Sequence, residues 1–599
     1  MISNDLNTAP LHHQQGQQTQ HENQTGLRFP LPCLPQIPVK RQLDYIKIMS
    51  LSLAATLAFF LITGFVDSAP AAIPDYNDDN NNNNTNDASS SSEYSSDGRI
   101  VHYPITQNEF SNLDTVFNAS QGTNNGIYNS STSPTYGLYN FCNEPHVRSD
   151  IYPMVDSKYK LQYVEVVHRH HKRSPYSSNT FPEEQLSVYC TNDTVNGGST
   201  AIHGASFENG SLAVNWHPYL DPTNPFSRQA PYFDQGLTCQ LPQLTTSGLQ
   251  DSLQHGKDLY DVYSSKLGFL PAQYDPEQIK FRVTNNVITS QVASALIHGM
   301  FPELNDSVDT LIQVDGYDSL EPSIDCPLAD SLKKQITGSD GWNEHLNRSK
   351  SLFHELDAMS GVDPESSGWH ISFDHYFDNT AYRLCHGAPL FCNNTESQDN
   401  CMTMDQAEQI FRLGDWEYNY LWRGHANSTL MAATRYGAWF HELKHHLIGV
   451  RDTIASENAA STIESVTTSI TSNDSIETAK STPTTEAGID SSNLSKQTRY
   501  FHNVAHDGSV SAILSFLNIN FMRWPGMGSE VVFELYSSES DNRELNWFIR
   551  VLHSSTVIES NSPLGKLDMI PLNDFVAYIE KMVGADGELV YKYCTADDE

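Results

Sequence analysis

Apolar and polar positions alternate in two periods along the chain, and the change from one to the other outlines an α/β protein. LQYVEVV, Leu161 to Val167, is rich in β-branched and aromatic residues and predicts a strand, and Ile279 to Val283 predicts a second, shorter one. Between them TSGLQDSLQHGKDLYDVYSSKL, Thr246 to Leu267, places Leu249, Leu253, Leu259 and Val262 near helical spacing, with a Thr/Ser start and Gly268 just beyond its end. Ser290 to His298 predicts a helix, as does the amphipathic run Tyr436 to Asp452. A strand ending at Asn503-Val504-Ala505 followed by a helix over Ser509 to Leu517 completes the alternation. Strands alternating with helices imply a mixed central sheet flanked by helices. The mostly helical patterns of residues 325–454 predict a helical subdomain inserted between its halves.

Elsewhere the periodicity is missing. Residues 1–45 are rich in Gln, Asn, His and Pro, residues 70–99 carry an Asn/Asp/Ser tract, and residues 455–498 are rich in Ser and Thr. Each offers too little apolar surface to offset the entropy of ordering, so disorder is expected there. The third stretch would interrupt a domain whose parts span 100–324 and 499–599. Within residues 46–69, Ile48 to Val66 is an uncharged apolar run that meets the threshold of roughly 18 residues for a spanning helix. Translation from Met49 would make it a signal peptide with small residues for cleavage near Asp67-Ser68-Ala69. From the first methionine, Lys40, Arg41 and Lys47 on its N-terminal side predict a type II anchor. Both readings export the remainder.

Composition fits export. Sequons at Asn118, Asn129, Asn192, Asn209, Asn305, Asn347, Asn393, Asn427, Asn473 and Asn493 predict N-linked glycans. Of the nine cysteines eight follow the apolar run, an even number that favours disulfides of undetermined pairing. A net charge of −37 argues against nucleic acid as a partner.

Candidate chemistry concentrates where the first strand ends, in EVVHRHHKRSP, Glu165 to Pro175. Ligands bind beyond the carboxyl ends of strands in open α/β sheets. Strand alternation would put His168 and His170 on one face, which would suit a metal. However, Arg169, Lys172 and Arg173 would repel a dication, whereas guanidinium forks match phosphate oxygens and an imidazole among them can act as a nucleophile. A second candidate is HELKH, His441 to His445, which has the HExxH spacing of zinc metalloproteases, with His441 and His445 as ligands and Glu442 as base.

The stretch Arg169 to Pro175 (RHHKRSP) resembles the RHGxRxP motif of the histidine acid phosphatases, the acid phosphatase and phytase branch of the histidine phosphatase superfamily. QLTTSGLQDSLQHGKDLYDVY, FRVTNNVITSQVASALIHGMFP, VAHDGSVSAILSFLNI and RWPGMGSEVVFELY follow in that family's order. The resemblance implies a phosphoglycerate mutase-like fold and metal-independent hydrolysis of phosphate monoesters without a cofactor. It makes His170 the nucleophile, Asp507 the proton donor, and Arg169, Arg173, Arg282 and His506 the groups that hold phosphate. Two positions depart from the pattern: His171 stands at the family's glycine, and Ile288 where a further arginine is frequent.

Overall fold

The computed structural model of the protein describes residues 100–106, 111–118, 140–183, 242–304, 307–321, 324–395, 398–468, 498–540 and 544–595, with a small hairpin at Ala205–Phe207 and Gly210–Leu212. These lie in the compact unit Ser92–Glu599. The apolar run 48–66, the tracts 1–45 and 70–99, most of the Ser/Thr-rich stretch, and Cys33, Cys190 and Cys239 fall outside the described residues.

The central sheet is built from β1 (Lys160–Arg169), β2 (Ile279–Val283), β3 (Thr310–Leu311), β4 (Tyr500–Ala505), β5 (Glu530–Glu539), β6 (Leu545–His553), β7 (Thr556–Val557) and β8 (Ile570–Pro571). Strand order is β7-β6-β5-β1-β4-β2-β3, with β8 paired to β6. β1, β4, β2 and β3 run parallel to their neighbours, and β5 and β6 antiparallel, so the sheet is mixed as expected. Arg169 lies opposite Ala505, so β1 and β4 end level with each other. That alignment positions the site.

The helices relevant to the site are α1 (Thr246–Tyr260), α2 (Val287–Met300), α3 (Asp374–Cys385), α4 (Met404–Asn419), α5 (Ser428–Thr468), α6 (Asp507–Phe516) and α7 (Leu572–Val583). β1 is buried from Tyr163 to Arg169 because helices cover both faces of the sheet, which removes the usual half-solvated alternation. Val164 and Val166 pack with Leu259, Val292 and Leu296 under α1 and α2. Tyr163 and Val167 face the other way, toward Trp439, Phe440 and Leu443 of α5. Each such side chain contributes roughly 1.5–3 kcal/mol by leaving water. α1 and α2 approach closely because Gly256 has no side chain: a Cβ there would stand 2.0 Å from the carbonyl oxygen of Leu296.

α1 starts where predicted, with the Thr245 hydroxyl accepting from Gly248 N–H, but ends at Tyr260 and widens into a π-helical turn over Asp261–Lys266. α5 is longer than predicted at both ends. It runs to Thr468, so its last turns overlap the stretch expected to be disordered. From Pro327 to Gly424 helices dominate, with a hairpin at Cys392–Thr395 and Gln398–Cys401. Their core shares Phe141, Trp524 and Met527 with the sheet unit, and Trp524 stacks on Phe377 of α3 at 4.0 Å. Disulfides Cys142–Cys385, Cys326–Cys594 and Cys392–Cys401 supply the pairing that spacing left open, and the first ties α3 to the segment before β1. No helix among the described residues is long and apolar enough to cross a membrane.

Candidate active site

Where β1 ends, the backbone stays pinned between its neighbours. Arg169 N–H donates to Ser529 O and His170 N–H to Ala505 O, each within 2.9 Å. Alternation stops there, so His168 and His170 do not share surroundings as a continued strand would have required. His168 turns into a buried group of histidines, whereas His170 lies beside His506 with ring centroids 5.5 Å apart.

His170 is 2% exposed, and its Nδ1–H donates to the carbonyl of His171 at 2.9 Å. A carbonyl can only accept, so the proton is fixed on Nδ1 and the lone pair on Nε2. Burial first, then Arg173, Arg169 and His506, hold this imidazole well below its ordinary pKa. It is therefore neutral even in mild acid.

Two guanidiniums flank it. Arg169 donates from Nη1 to Pro525 O at 2.5 Å, pairs through Nη2 with Asp507 Oδ2 at 3.0 Å, and lies over the Phe141 ring. Arg173 is gripped by both oxygens of Asp378 on α3, at 3.0 and 3.1 Å, and lies over Tyr176. Asn179 also donates to Asp378. The Nε atoms of both arginines are buried without a hydrogen-bond partner, an unusual state for a charged donor and one that an anion's oxygens would relieve.

β4 delivers the other half. His506 is the residue before α6 and Asp507 the first of that helix, so both stand where backbone N–H groups and the helix dipole favour negative charge. His506 Nε2 lies 2.9 Å from the Thr284 hydroxyl, just past β2. Burial lowers its pKa to about 4 against the opposing charge of Asp507, with Arg173 and Arg169 adding to the lowering. The Asp507 side chain is 23% exposed; Oδ1 accepts from Gly508 N–H at 2.8 Å and Oδ2 from Trp524 Nε1 at 2.9 Å. Burial would raise its pKa, but Arg169, the Trp524 indole N–H, His506 and Arg173 outweigh it and hold the carboxyl below its usual range.

The structure therefore gathers Arg169, His170, Arg173, His506 and Asp507, but not Arg282. That guanidinium donates to Glu442 at 2.9 Å and to Gln313, Asp318 and Ser319 at 2.7 to 3.1 Å, and no hydrogen bond or ion pair links it to the other five. Asp318 and Glu442 pair with it, and its Nε, like those of Arg169 and Arg173, is buried without a hydrogen-bond partner. Ile288, six residues on, is buried in the apolar core and offers no replacement. Lys172 is buried and paired with Asp251 at 2.6 Å.

The HExxH helix does not assemble a protease site. His441 and His445 face each other with Nε2 atoms 3.1 Å apart, but Glu442 is occupied by Arg282, Gln313 and Ser319. Neither histidine belongs to a group of three potential metal ligands among the described residues.

His171, at the family's glycine position, fits because of a glycine elsewhere. Gly528 has φ +74°, and a Cβ on it would stand 2.5 Å from the His171 ring. The ring is buried beneath the loop, Nε2 3.1 Å from His255 Nδ1, and His255 Nε2 is 3.0 Å from Glu530.

Sequence reasoning missed Asp378, Thr284 and Trp524. Trp524 and Thr284 lie inside the motif segments RWPGMG and FRVTNN, whereas Asp378 sits in a stretch whose local pattern is that of any helix.

The chain matches the Histidine phosphatase superfamily (branch 2) over residues 160–554. It is similar to 2-phosphoxylose phosphatase 1 of Danio rerio, 21% identical over 57% of this chain and 64% of that protein, so the match spans slightly under two thirds of that relative. The Homo sapiens protein of the same name is 25% identical over 77% of this chain and 87% of its own length. Among solved structures, the apo form of Hafnia alvei phytase aligns over 72% of this chain and 99% of its own at 12% identity and TM-score 0.41. The family match runs from the first strand of the sheet past the loop of His170 and the His506–Asp507 pair, and the chain belongs to branch 2 of the histidine phosphatase superfamily.

Proposed function

We propose that the protein hydrolyses phosphate monoesters through a phosphohistidine on His170. One observation carries the reading: His170 has its Nδ1 proton fixed on a carbonyl, and two arginines and a helix N-terminus stand around the nitrogen that remains. Phosphate monoester hydrolysis is among the slowest uncatalysed reactions, with enzymatic enhancements up to ~10²¹, so charge stabilisation and leaving-group protonation are both needed.

In the first step His170 Nε2 attacks phosphorus, the P–N bond forms, the ester P–O bond breaks, and the leaving oxygen takes a proton from Asp507. Arg169, Arg173 and His506 hold the phosphoryl oxygens. In the second step the Asp507 carboxylate takes a proton from water, whose oxygen attacks phosphorus as the P–N bond breaks. Arg282, whose Nε is likewise buried without a partner, is the third arginine of the proposed set.

The depressed pKa of Asp507 requires acid. The resting carboxylate is ionised and paired with Arg169, and a bound phosphate would take over that guanidinium and let the carboxyl hold a proton. Esters become monoanionic below about pH 6, which supplies that proton, so the rate is expected to fall as pH rises from about 5 to 8.

The apolar run, the sequons and the disulfides support placing this chemistry outside the cytosol, on a secreted or type II anchored chain bearing N-linked glycans. The test is hydrolysis of an aryl phosphate by the purified chain at pH 5, with and without chelator. The expected result is activity that survives chelation and falls at least ~10⁴-fold in His170→Ala. Activity retained by that variant overturns the reading.

A further inference from the structure

Directly behind the catalytic loop, His168 from the end of β1, His171 from the loop and His255 from α1 bring one ligand nitrogen each within 4.8 Å of one another. All three are fully buried. We propose that they form a structural site for a divalent transition ion of the zinc class, bound by three imidazoles and separate from the phosphate chemistry.

The orientation of the rings is that of metal ligands. Metal-bound histidines characteristically give their other nitrogen to a carbonyl or carboxylate, which fixes the tautomer. His168 does so, Nδ1–H donating to Arg169 O at 2.8 Å, and so does His255, Nε2 lying 3.0 Å from Glu530. His168 thereby directs the lone pair of Nε2 into the protein, where that atom has no hydrogen-bond partner. His171 Nδ1 and His502 Nε2 are buried and unpartnered as well, and His502 lies beside His168 with ring centroids 4.9 Å apart.

Spacing is near that of a bound ion. Zn–N bonds of about 2.0–2.1 Å in tetrahedral geometry separate ligand nitrogens by ~3.3 Å. His171 Nε2 and His255 Nδ1 are already 3.1 Å apart, so an ion would replace the proton they share, which would pass to the unpartnered His171 Nδ1. His168 would close the remaining distance. The site also explains why an imidazole occupies position 171: the ion would clamp strand, loop and helix together immediately behind His170.

The experiment uses the full chain, purified without metal-affinity resin and dialysed against metal-free buffer. Zinc is then measured by plasma mass spectrometry in wild type, His171→Gly, His255→Gln and the double variant His441→Ala/His445→Ala, which removes the exposed histidine pair. The expected result is about one zinc per chain in wild type and the double variant, and less than about a tenth of that in the other two. Cobalt(II) exchanged into wild type should give the intense visible bands of tetrahedral coordination. Zinc absent from wild type, retained in His171→Gly and His255→Gln, or lost from the double variant overturns the proposal. Should the two buried-site variants not fold, zinc-edge absorption on wild type decides: nitrogen neighbours near 2.0 Å support it, and a six-oxygen shell overturns it.

Discussion

The two sides of the loop after β1 hold equally buried histidines in opposite roles. In front, His170 has one nitrogen satisfied, and it lies among arginines whose Nε–H groups have no partner. Behind, His171 Nε2 and His255 Nδ1 pair with each other, and Glu530 terminates the chain they form. Residue type and burial are the same, so the partner atoms decide which ring is a reagent and which is scaffold. Each side should therefore fail in its own way when altered.

Removing the acid on the front side should have the largest effect. Asp507→Asn keeps the Trp524 contact but cannot donate a proton, and kcat on an alkyl phosphate is expected to fall ~10²–10⁴-fold. On an aryl phosphate, whose leaving oxygen needs less protonation, the loss should be at least tenfold smaller; equal losses would mean that Asp507 is not the donor. Next comes the grip on Arg173. Asp378→Ala would leave a buried guanidinium unpaired, so stability should drop by about 3–5 kcal/mol in urea titration, with a higher KM.

Acid should act in opposite directions on turnover and on stability. His102, His386 and His506 have pKa values near 4 in the folded chain, each lowered first by burial. Their unfolded value is 6.5, so between 6.5 and about 4 the unfolded chain binds more protons and stability falls with pH, by up to about 1.4 kcal/mol per pH unit for each group. The melting temperature should decline through the window in which turnover rises. The smallest effect is expected behind the loop: His171→Gly, with Gly528 unchanged, should cost about 1–3 kcal/mol for the cavity and alter kcat less than tenfold.

Much of this was legible in the sequence because periodicity survives wherever an element packs on one side. β2 has the predicted bounds, and Tyr436, Phe440, Leu443 and Leu447 of α5 face the core at helical spacing. The five gathered residues could be read because they occupy two short motifs at strand ends. For Arg282, spacing shows that an arginine is present but not that carboxylates 36 and 160 residues away pair with it. The hidden histidines were unreadable for a related reason: His255 lies in an ordinary helix, and only the register of α1 against β1 brings it to His171.

The pairing of His171 with Gly528 makes these two positions one inheritance unit. A side chain at 528 is excluded while an imidazole fills 171, and it becomes tolerable sterically only once 171 is small, although φ +74° still penalises it. Gly528→Ala should be far more damaging in the natural chain than in one carrying glycine at 171, a non-additivity that a double-mutant cycle would read directly. In a lineage of such chains the order of the two changes is therefore constrained: the loop must shrink before its neighbour can grow.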